Sequence, residues 1–595
     1  MTKVRIGSLA LVSMLAVTTA FAQVKVSLNV KEGDKIGVEK MVEVDLQSKE
    51  DITQVEFYVN NELRNTDDST PYEFLIDGLT QPEGKLTLKV QAYTATGKSG
   101  TVSVTLNVDN GLAAGPAPFV AAGEDLFRNG KFSEAITQGR LALKAQKDYN
   151  PGRLLLAKSN LQLGIFDRAV KFAEEILISE PKNLAALDLA SAASLQQAFN
   201  YSNRSSNRDE ILNVLGGAFK SAAKYRQKVY QARIDAFGEV KDDNLLDYAD
   251  LLTRAGRYGA AADALMPTYM KDRTNTLIAN RLFYAMVRGG RAQKAYELMT
   301  GAERRKELDG GGLMIMAILH DLYGKATPSM DAERAALLQD STSATVTTGQ
   351  AFFALAKNRT AAMRGVLTAL GKNSQDPVNG AYMSQFQYRL NDFEGSRRSF
   401  ESTLLAEPLM FDAFLSRAAQ AVDFSFRSGT AEKDAEYQRR AARMYLQSAL
   451  EAKPESFQAL TSLAILAVTE NKSEEAIGLA RAATKAGPEY GGGFYTLGMV
   501  ASLRAKLFGD REQDLLLKAK QAAGNGLAED AKKFAADAAL AGAESRKLAA
   551  ESDEAMRTAG KFDPANLAGR TVPQPLVAWT YVSTQGRIPL LAMTR

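Results

Sequence analysis

Apolar and polar residues follow two different rhythms along the chain, and the change between them divides it. From Val24 to about Asn110 they alternate with period two, as in Val24-Lys25-Val26-Ser27-Leu28-Asn29-Val30 and Leu86-Thr87-Leu88-Lys89-Val90-Gln91-Ala92. That period sends successive side chains to opposite faces of a strand, one toward a core and one toward water. Turn-forming stretches such as Lys31-Glu32-Gly33-Asp34 and Ala95-Thr96-Gly97-Lys98 separate the runs. The spacing predicts a small antiparallel sandwich of about six or seven strands over residues 23–110. Residues 111–118, rich in Gly, Ala and Pro, read as a linker, after which apolar residues recur at helical spacing.

The helical part repeats itself. Gly130-Lys131-Phe132-Ser133-Glu134-Ala135-Ile136 returns as Gly164-Ile165-Phe166-Asp167-Arg168-Ala169-Val170, 34 residues on. Gly256, Gly290, Gly324 and Asn358 keep the same step, Asn391 follows after 33, and Ala442, Ala449 and Pro454 map onto Ala476, Ala483 and Pro488. Each unit reads as helix, tight turn, helix: Gly permits the turn, Ala lets the paired helices approach, and Pro ends the second helix. One hairpin cannot bury its own apolar face, so neighbours must stack to make a core. The pattern predicts an all-α solenoid of about ten or eleven helix pairs over residues 119–525, then a terminal capping helix at 526–560 and an extended apolar tail at 561–595. Extra loop residues are expected at Asn200–Asp209 and Phe424–Glu436, with an additional helix between Val214 and Phe237.

Two families come into view from these residues. Val55 to Leu63, then Thr66 to Phe74 with Pro71-Tyr72, then Leu86 to Val108, resemble bacterial immunoglobulin-like domains of cell-surface proteins. That resemblance implies a spacer or adhesive module. The Gly, Ala and aromatic spacing, with closing Pro181, Pro408, Pro454 and Pro488, resembles the tetratricopeptide repeat (TPR). It implies a superhelix whose inner helices line a concave groove that holds a peptide or partner protein. Arg128, Arg254, Arg288 and Arg389 stand two residues before the turn Gly or Asn, with Tyr284 and Tyr388 nearby. These six are the candidate groove residues, and basic plus aromatic side chains suit an acidic or carboxylate-bearing segment. The Lys and Asn set of the chaperone-binding TPR clamp is not reproduced.

The first 22 residues change where such a protein is expected to work. Lys3 and Arg5, the uncharged run Leu9 to Val17, and Ala20-Phe21-Ala22 before Gln23 form a secretory signal pattern. The apolar core is shorter than the roughly 20 residues that span a bilayer, and no later stretch reaches that length without charge. An exported, periplasmic or cell-surface protein without a transmembrane segment is expected.

Composition then removes most chemistry. The 595 residues include no Cys and one His, so thiol nucleophiles, zinc-thiolate sites, disulfides and a lipid anchor on Cys are unavailable. With 73 basic against 69 acidic residues, the chain lacks the concentrated basic face of a nucleic-acid binder. His320, four residues before Gly324, reads as a core or interface residue. Gly310-Gly311-Gly312 and Gly491-Gly492-Gly493 lack the Gly-Lys-Ser/Thr ending of a phosphate loop and read as links between helices. Asp67-Asp68 reads as an exposed turn rather than a calcium pair.

Together these observations predict a non-enzymatic protein-protein interaction scaffold of the cell envelope, with no catalytic residue, cofactor or metal. A protein or peptide partner is expected in the groove. The alternative is a carbohydrate- or surface-binding adhesive protein acting through the β module, with a glycan contact there. A carboxylate hydrolase is a third reading, and the tail is a candidate for strand addition onto the β module or a partner.

Overall fold

The computed structural model describes residues 24–593, so the expected signal segment at 1–22 lies outside them. The described chain forms two compact units, residues 24–165 and 166–593.

The first unit opens with eight strands: β1 (Lys25–Leu28), β2 (Lys35–Ile36), β3 (Glu39–Gln47), β4 (Ile52–Val59), β5 (Glu62–Asp67), β6 (Glu73–Asp77), β7 (Gly84–Thr94) and β8 (Ser99–Val108). They form one sheet of order β1-β3-β6 and another of order β2-β8-β7-β4-β5. Inward residues at period two, among them Val42, Val55, Phe57, Ile76, Leu88 and Val90, fill the space between the sheets. Asn60 and Asn61 both hold positive φ, 50° and 67°, in the tight turn from β4 to β5. Asp67 accepts from the amides of Ser69 and Glu73 at 3.2 and 3.1 Å, so its carboxylate ties the turn it belongs to.

The expected linker at 111–118 is shorter than predicted. A 3-10 turn at Leu112–Ala114 leads into a helix that already begins at Ala117, with Pro118 in its first turn, where its missing N–H is no loss. Helices Ala117–Arg128 and Phe132–Ala145 follow, and Arg140 and Lys144 of the second bind Asp77 and Glu83 of the sandwich at 3.0 and 2.9 Å.

From Ala117 to Phe562 the described residues form 22 helices in sequential pairs. The turn residue of each 34-residue unit has left-handed backbone: φ is 74° at Gly130, 73° at Gly164 and Gly256, 77° at Gly290, 76° at Gly324, 49° at Asn358, 63° at Asn391 and 58° at Asn471. Only Gly, and less readily Asn, adopts this conformation at low cost, which is why the period is punctuated by these two residue types. Buried Ala135, Ala169, Ala261, Ala295 and Ala476 each follow a turn residue by five positions.

Several expectations change in the second unit. The predicted loop at Asn200–Asp209 is mostly helix, because Leu184–Arg204 and Arg208–Asp235 are long partners joined by Ser205–Asn207. The glycine triplets are first helical turns instead of links: helices begin at Gly310 and Gly491. Asp309 caps the first by accepting from Gly312 N at 2.8 Å, and a Cβ at Gly311 or Gly312 would stand 2.9 Å from Asn280. The terminal segment 526–560 is the return arm of a hairpin: Gly491–Gly524 runs antiparallel to Ala528–Phe562, with Ser552 and Ser545 donating to the carbonyls of Gly498 and Ala505. The tail at 561–595 is not extended throughout, since Pro575–Thr584 is a helix with Ala578, Trp579, Tyr581 and Val582 buried.

The array also closes on itself. Arg208 binds Asp434 at 2.5 Å, Arg440 binds Asp209 at 2.7 Å, and Tyr230 donates to Glu407. One hairpin further, Gln293 N donates to Glu489 at 2.9 Å. Units separated by about 200 residues in sequence thus share a seam.

Candidate interaction site

The first helices of the hairpins, Thr276–Arg288, Ala344–Ala356, Pro377–Arg389 and Phe411–Ser425, form the inner face of the second unit, and its own tail lies on that face. The contact is made mainly to tail main chain. Tyr490 OH donates to Gly586 O at 3.0 Å, Arg288 Nη1 to Pro589 O at 3.4 Å and Tyr382 OH to Leu590 O at 2.8 Å. Leu591 N donates to Tyr284 OH at 3.3 Å, Ala592 N to Thr348 Oγ1 at 3.1 Å, and Thr345 Oγ1 to Ala592 O at 2.8 Å. Leu590 and Leu591 are buried in the same core as Leu282, Phe283, Phe353 and Tyr382. Burial pushes the phenols of Tyr284 and Tyr382 upward in pKa, so both stay neutral with a hydrogen to donate or share.

Charges around the tail are paired or insulated. Arg288 has a side-chain exposure of 0% and forms a bidentate pair with Asp412 at 2.9 and 2.5 Å, between the rings of Phe411 and Tyr258. Arg587 of the tail donates to Gln385 Oε1 at 2.5 Å, and burial and the neighbouring Arg389 both work against its charge. A small cavity of about 90 Å3 remains between tail and array, lined in part by Tyr382, Gln385, Trp579 and Arg587.

The six predicted groove residues do not form one open site. Arg288 and Tyr284 are beneath the tail, where a partner would compete with Pro589 and Leu591. Arg254 is exposed at the edge of a cleft of about 600 Å3 that Glu407, Asp412 and Leu591 also line. Arg389 faces Asp423 at 4.0 Å, and Tyr388 donates to Gln420 O at 3.2 Å while accepting from Arg427. Arg128 belongs to the other unit, exposed and paired with Asp125. Asp412, Thr345, Thr348 and Tyr382 were not singled out from sequence, where nothing separates them from ordinary helix positions. The tail, a candidate for strand addition onto the β module or a partner, packs on helices of the second unit.

His320 is buried between helices, with Nε2 3.2 Å from Glu303 Oε1 and Nδ1 3.3 Å from Tyr296 OH. Among the described residues no group of three or more His, Asp or Glu is placed to hold a metal ion, and no helix is long and apolar enough to cross a membrane.

Residues 29–105 match the family model described as bacterial Ig domain. This segment is a bacterial Ig domain. The Ig domain accounts for β2 to β7 entirely and most of β8. No curated protein matches the chain in sequence. Among solved structures it is similar to "Crystal Structure of the Yeast Tom70", at 14% identity and TM-score 0.26, covering 62% of this chain and 91% of that one. It is also similar to "Crystal structure of APC/C hetero-tetramer Cut9-Hcn1", at 13% identity and TM-score 0.27, covering 79% and 98%. The TPR-type character of the array behind the Ig domain is visible in its own paired helices and 34-residue turn spacing.

Proposed function

We propose that the protein is an exported interaction scaffold of the cell envelope, in which the Ig domain acts as a spacer and the helical array presents surfaces to a partner protein. The observation that carries this reading is how the inner face is used. Side chains of three first helices and of Tyr490 bind the main chain of an extended segment, the way an array grips a peptide, and that segment is the chain's own tail. Partner contacts then fall on surfaces that the tail leaves open. The buried hydroxyls of Tyr284, Thr345, Thr348 and Tyr382 at this face are engaged in holding the tail.

The reading is tested by cross-linking the full-length protein in cells and identifying what it carries from envelope fractions. A defined protein attached at residues of the array is expected. Cross-links confined to copies of the protein itself, or turnover of a substrate by purified material, would overturn it.

A further inference from the structure

The seam where the array closes holds a feature that the tail does not use. Between helix Arg208–Asp235 and the first turn of helix Tyr258–Lys271 on one side, and Ala452–Phe457 on the other, lies a cleft of about 890 Å3. Lys224, Lys228, Arg257, Arg291 and Lys453 line it against one carboxylate, Glu455. Arg291 is paired with Asp263 at 2.7 Å. Among the described residues the other four cations have no carboxylate within ion-pair distance.

Lys453 is the unusual member. It retains 9% of its exposure, its ammonium lies 4.4 Å from the Tyr258 ring centre and 4.9 Å from that of Phe411, and it donates one long bond, 3.4 Å, to Arg288 O. The nearest carboxylates to act on it, Asp412 and Glu455, lie beyond ion-pair distance, and a buried ammonium without a contacting counter-ion is costly, so the position favours the arrival of an anion.

The repeat itself shows what kind of anion. One period on, Pro454-Glu455 becomes Pro488-Glu489, and Gly256-Arg257-Tyr258-Gly259-Ala260 becomes Gly290-Arg291-Ala292-Gln293-Lys294. There Glu489 reaches across the seam and accepts from Gln293 N at 2.9 Å and Lys294 N at 3.5 Å. Its carboxylate satisfies first-turn amides that have no partner within the helix and sits at the positive end of the helix dipole. At the earlier position the corresponding amides belong to Gly259 and Ala260, both of which line the cleft. Among the described residues the N-cap side chain, Arg257, makes no capping bond to that helix, and Glu455 makes no hydrogen bond to it.

We infer that this cleft is a binding site for a carboxylate-bearing ligand, an acidic segment of a partner protein, whose carboxylate occupies at Gly259 and Ala260 the place Glu489 occupies one repeat later. Lys224, Lys228 and Arg257 at the rim attract the segment, and Lys453 supplies the buried charge. Gly259 keeps the approach open, since the nearest atom to a Cβ there is Arg291 Nη2 at 3.6 Å. That the ligand is part of a protein rests on the scaffold reading; the carboxylate chemistry stands on the seam geometry.

The test uses the full-length protein and a fluorescein-labelled peptide of alternating Glu and Gly, with the Gln-Gly peptide, inorganic phosphate and phosphatidylglycerol vesicles as separate arms. Saturable binding of the Glu peptide and none of the Gln peptide is expected. The double variant Lys224→Glu/Lys228→Glu, at two exposed positions, is expected to weaken it at least about tenfold with unchanged thermal unfolding. Equal affinity of wild type and double variant overturns the site. Binding of phosphate or vesicles with failure of the peptide overturns the carboxylate assignment. A negative peptide result alongside a cross-linked partner removes the cleft and leaves the scaffold reading standing.

Discussion

Arg288 and Asp412, 124 residues apart, meet as a bidentate ion pair at 2.9 and 2.5 Å on the inner face of the array. The pair joins two first helices that belong to different hairpins, and it also orients the guanidinium toward Pro589 O of the tail. Two charges at this depth are stable only while each has the other, because either alone is left desolvated. Asp412→Asn is therefore expected to destabilise the second unit by about 3–5 kcal/mol, measured by denaturant unfolding. Arg288→Met combined with Asp412→Leu is expected to recover most of that loss. Wild-type stability in Asp412→Asn would show that the charge of Arg288 is held elsewhere.

Lys453 ties stability to pH. Burial and the nearby Arg288 pull its pKa down to about 7, whereas an unfolded lysine titrates near about 10.4. Below pH 7 both states hold the proton and the cost of burying the charge is constant. Between about 7 and 10.4 the unfolded state holds more protons, so this group's contribution to stability rises with pH across that window. Lys453→Met is expected to be more stable than wild type at pH 6.5, by on the order of a few kcal/mol, with the gap narrowing by pH 9.5. A gap independent of pH would mean that the ammonium is solvated.

The turn glycines make a graded series. Gly130 and Gly290 have nearly the same φ, 74° and 77°, but a Cβ at Gly130 meets nothing within 4 Å while one at Gly290 stands 3.1 Å from Gly487 Cα. Gly130→Ala is expected to cost about 1–2 kcal/mol, the strain of left-handed backbone. Gly290→Ala adds a clash across the seam and is expected to cost more. Equal losses by thermal unfolding would place the seam further apart than these distances.

How far the sequence carried the fold depends on the range of the interaction. Gly130, Gly164, Gly256, Gly290 and Gly324 mark the turns because their backbone conformation is local, and Val55, Phe57, Leu88 and Val90 mark the sandwich because strand alternation is local too. The glycine triplets misled because they occur where a chain break is common, while their role is close approach to Asn280 and, at Gly491, to Ala559 O at 3.1 Å. Tail placement was not legible: Leu590 and Leu591 carry apolar character, but the residues that receive them are over 200 positions away. Arg254 and Arg288 occupy the same repeat position, yet one is exposed and the other buried, since only the second meets Asp412 and the tail.

The tail is expected to be part of the core. Leu591 retains 2% exposure, and Leu591→Ala is expected to cost about 2–5 kcal/mol, seen as a lower midpoint in denaturant. A loss below about 0.5 kcal/mol, the level of a surface substitution, would mean that the tail leaves the inner face readily.

Hydrogen exchange at the tail amides tests the central claim, an inner face already occupied by the chain's own residues 586–593, most directly. The amides of Leu591 and Ala592 donate to Tyr284 OH and Thr348 Oγ1. In the full-length protein they are expected to be protected to a degree comparable with the buried helix Thr276–Arg288. Exchange of residues 586–593 as fast as an unstructured peptide would contradict the claim and return the inner face to the partner.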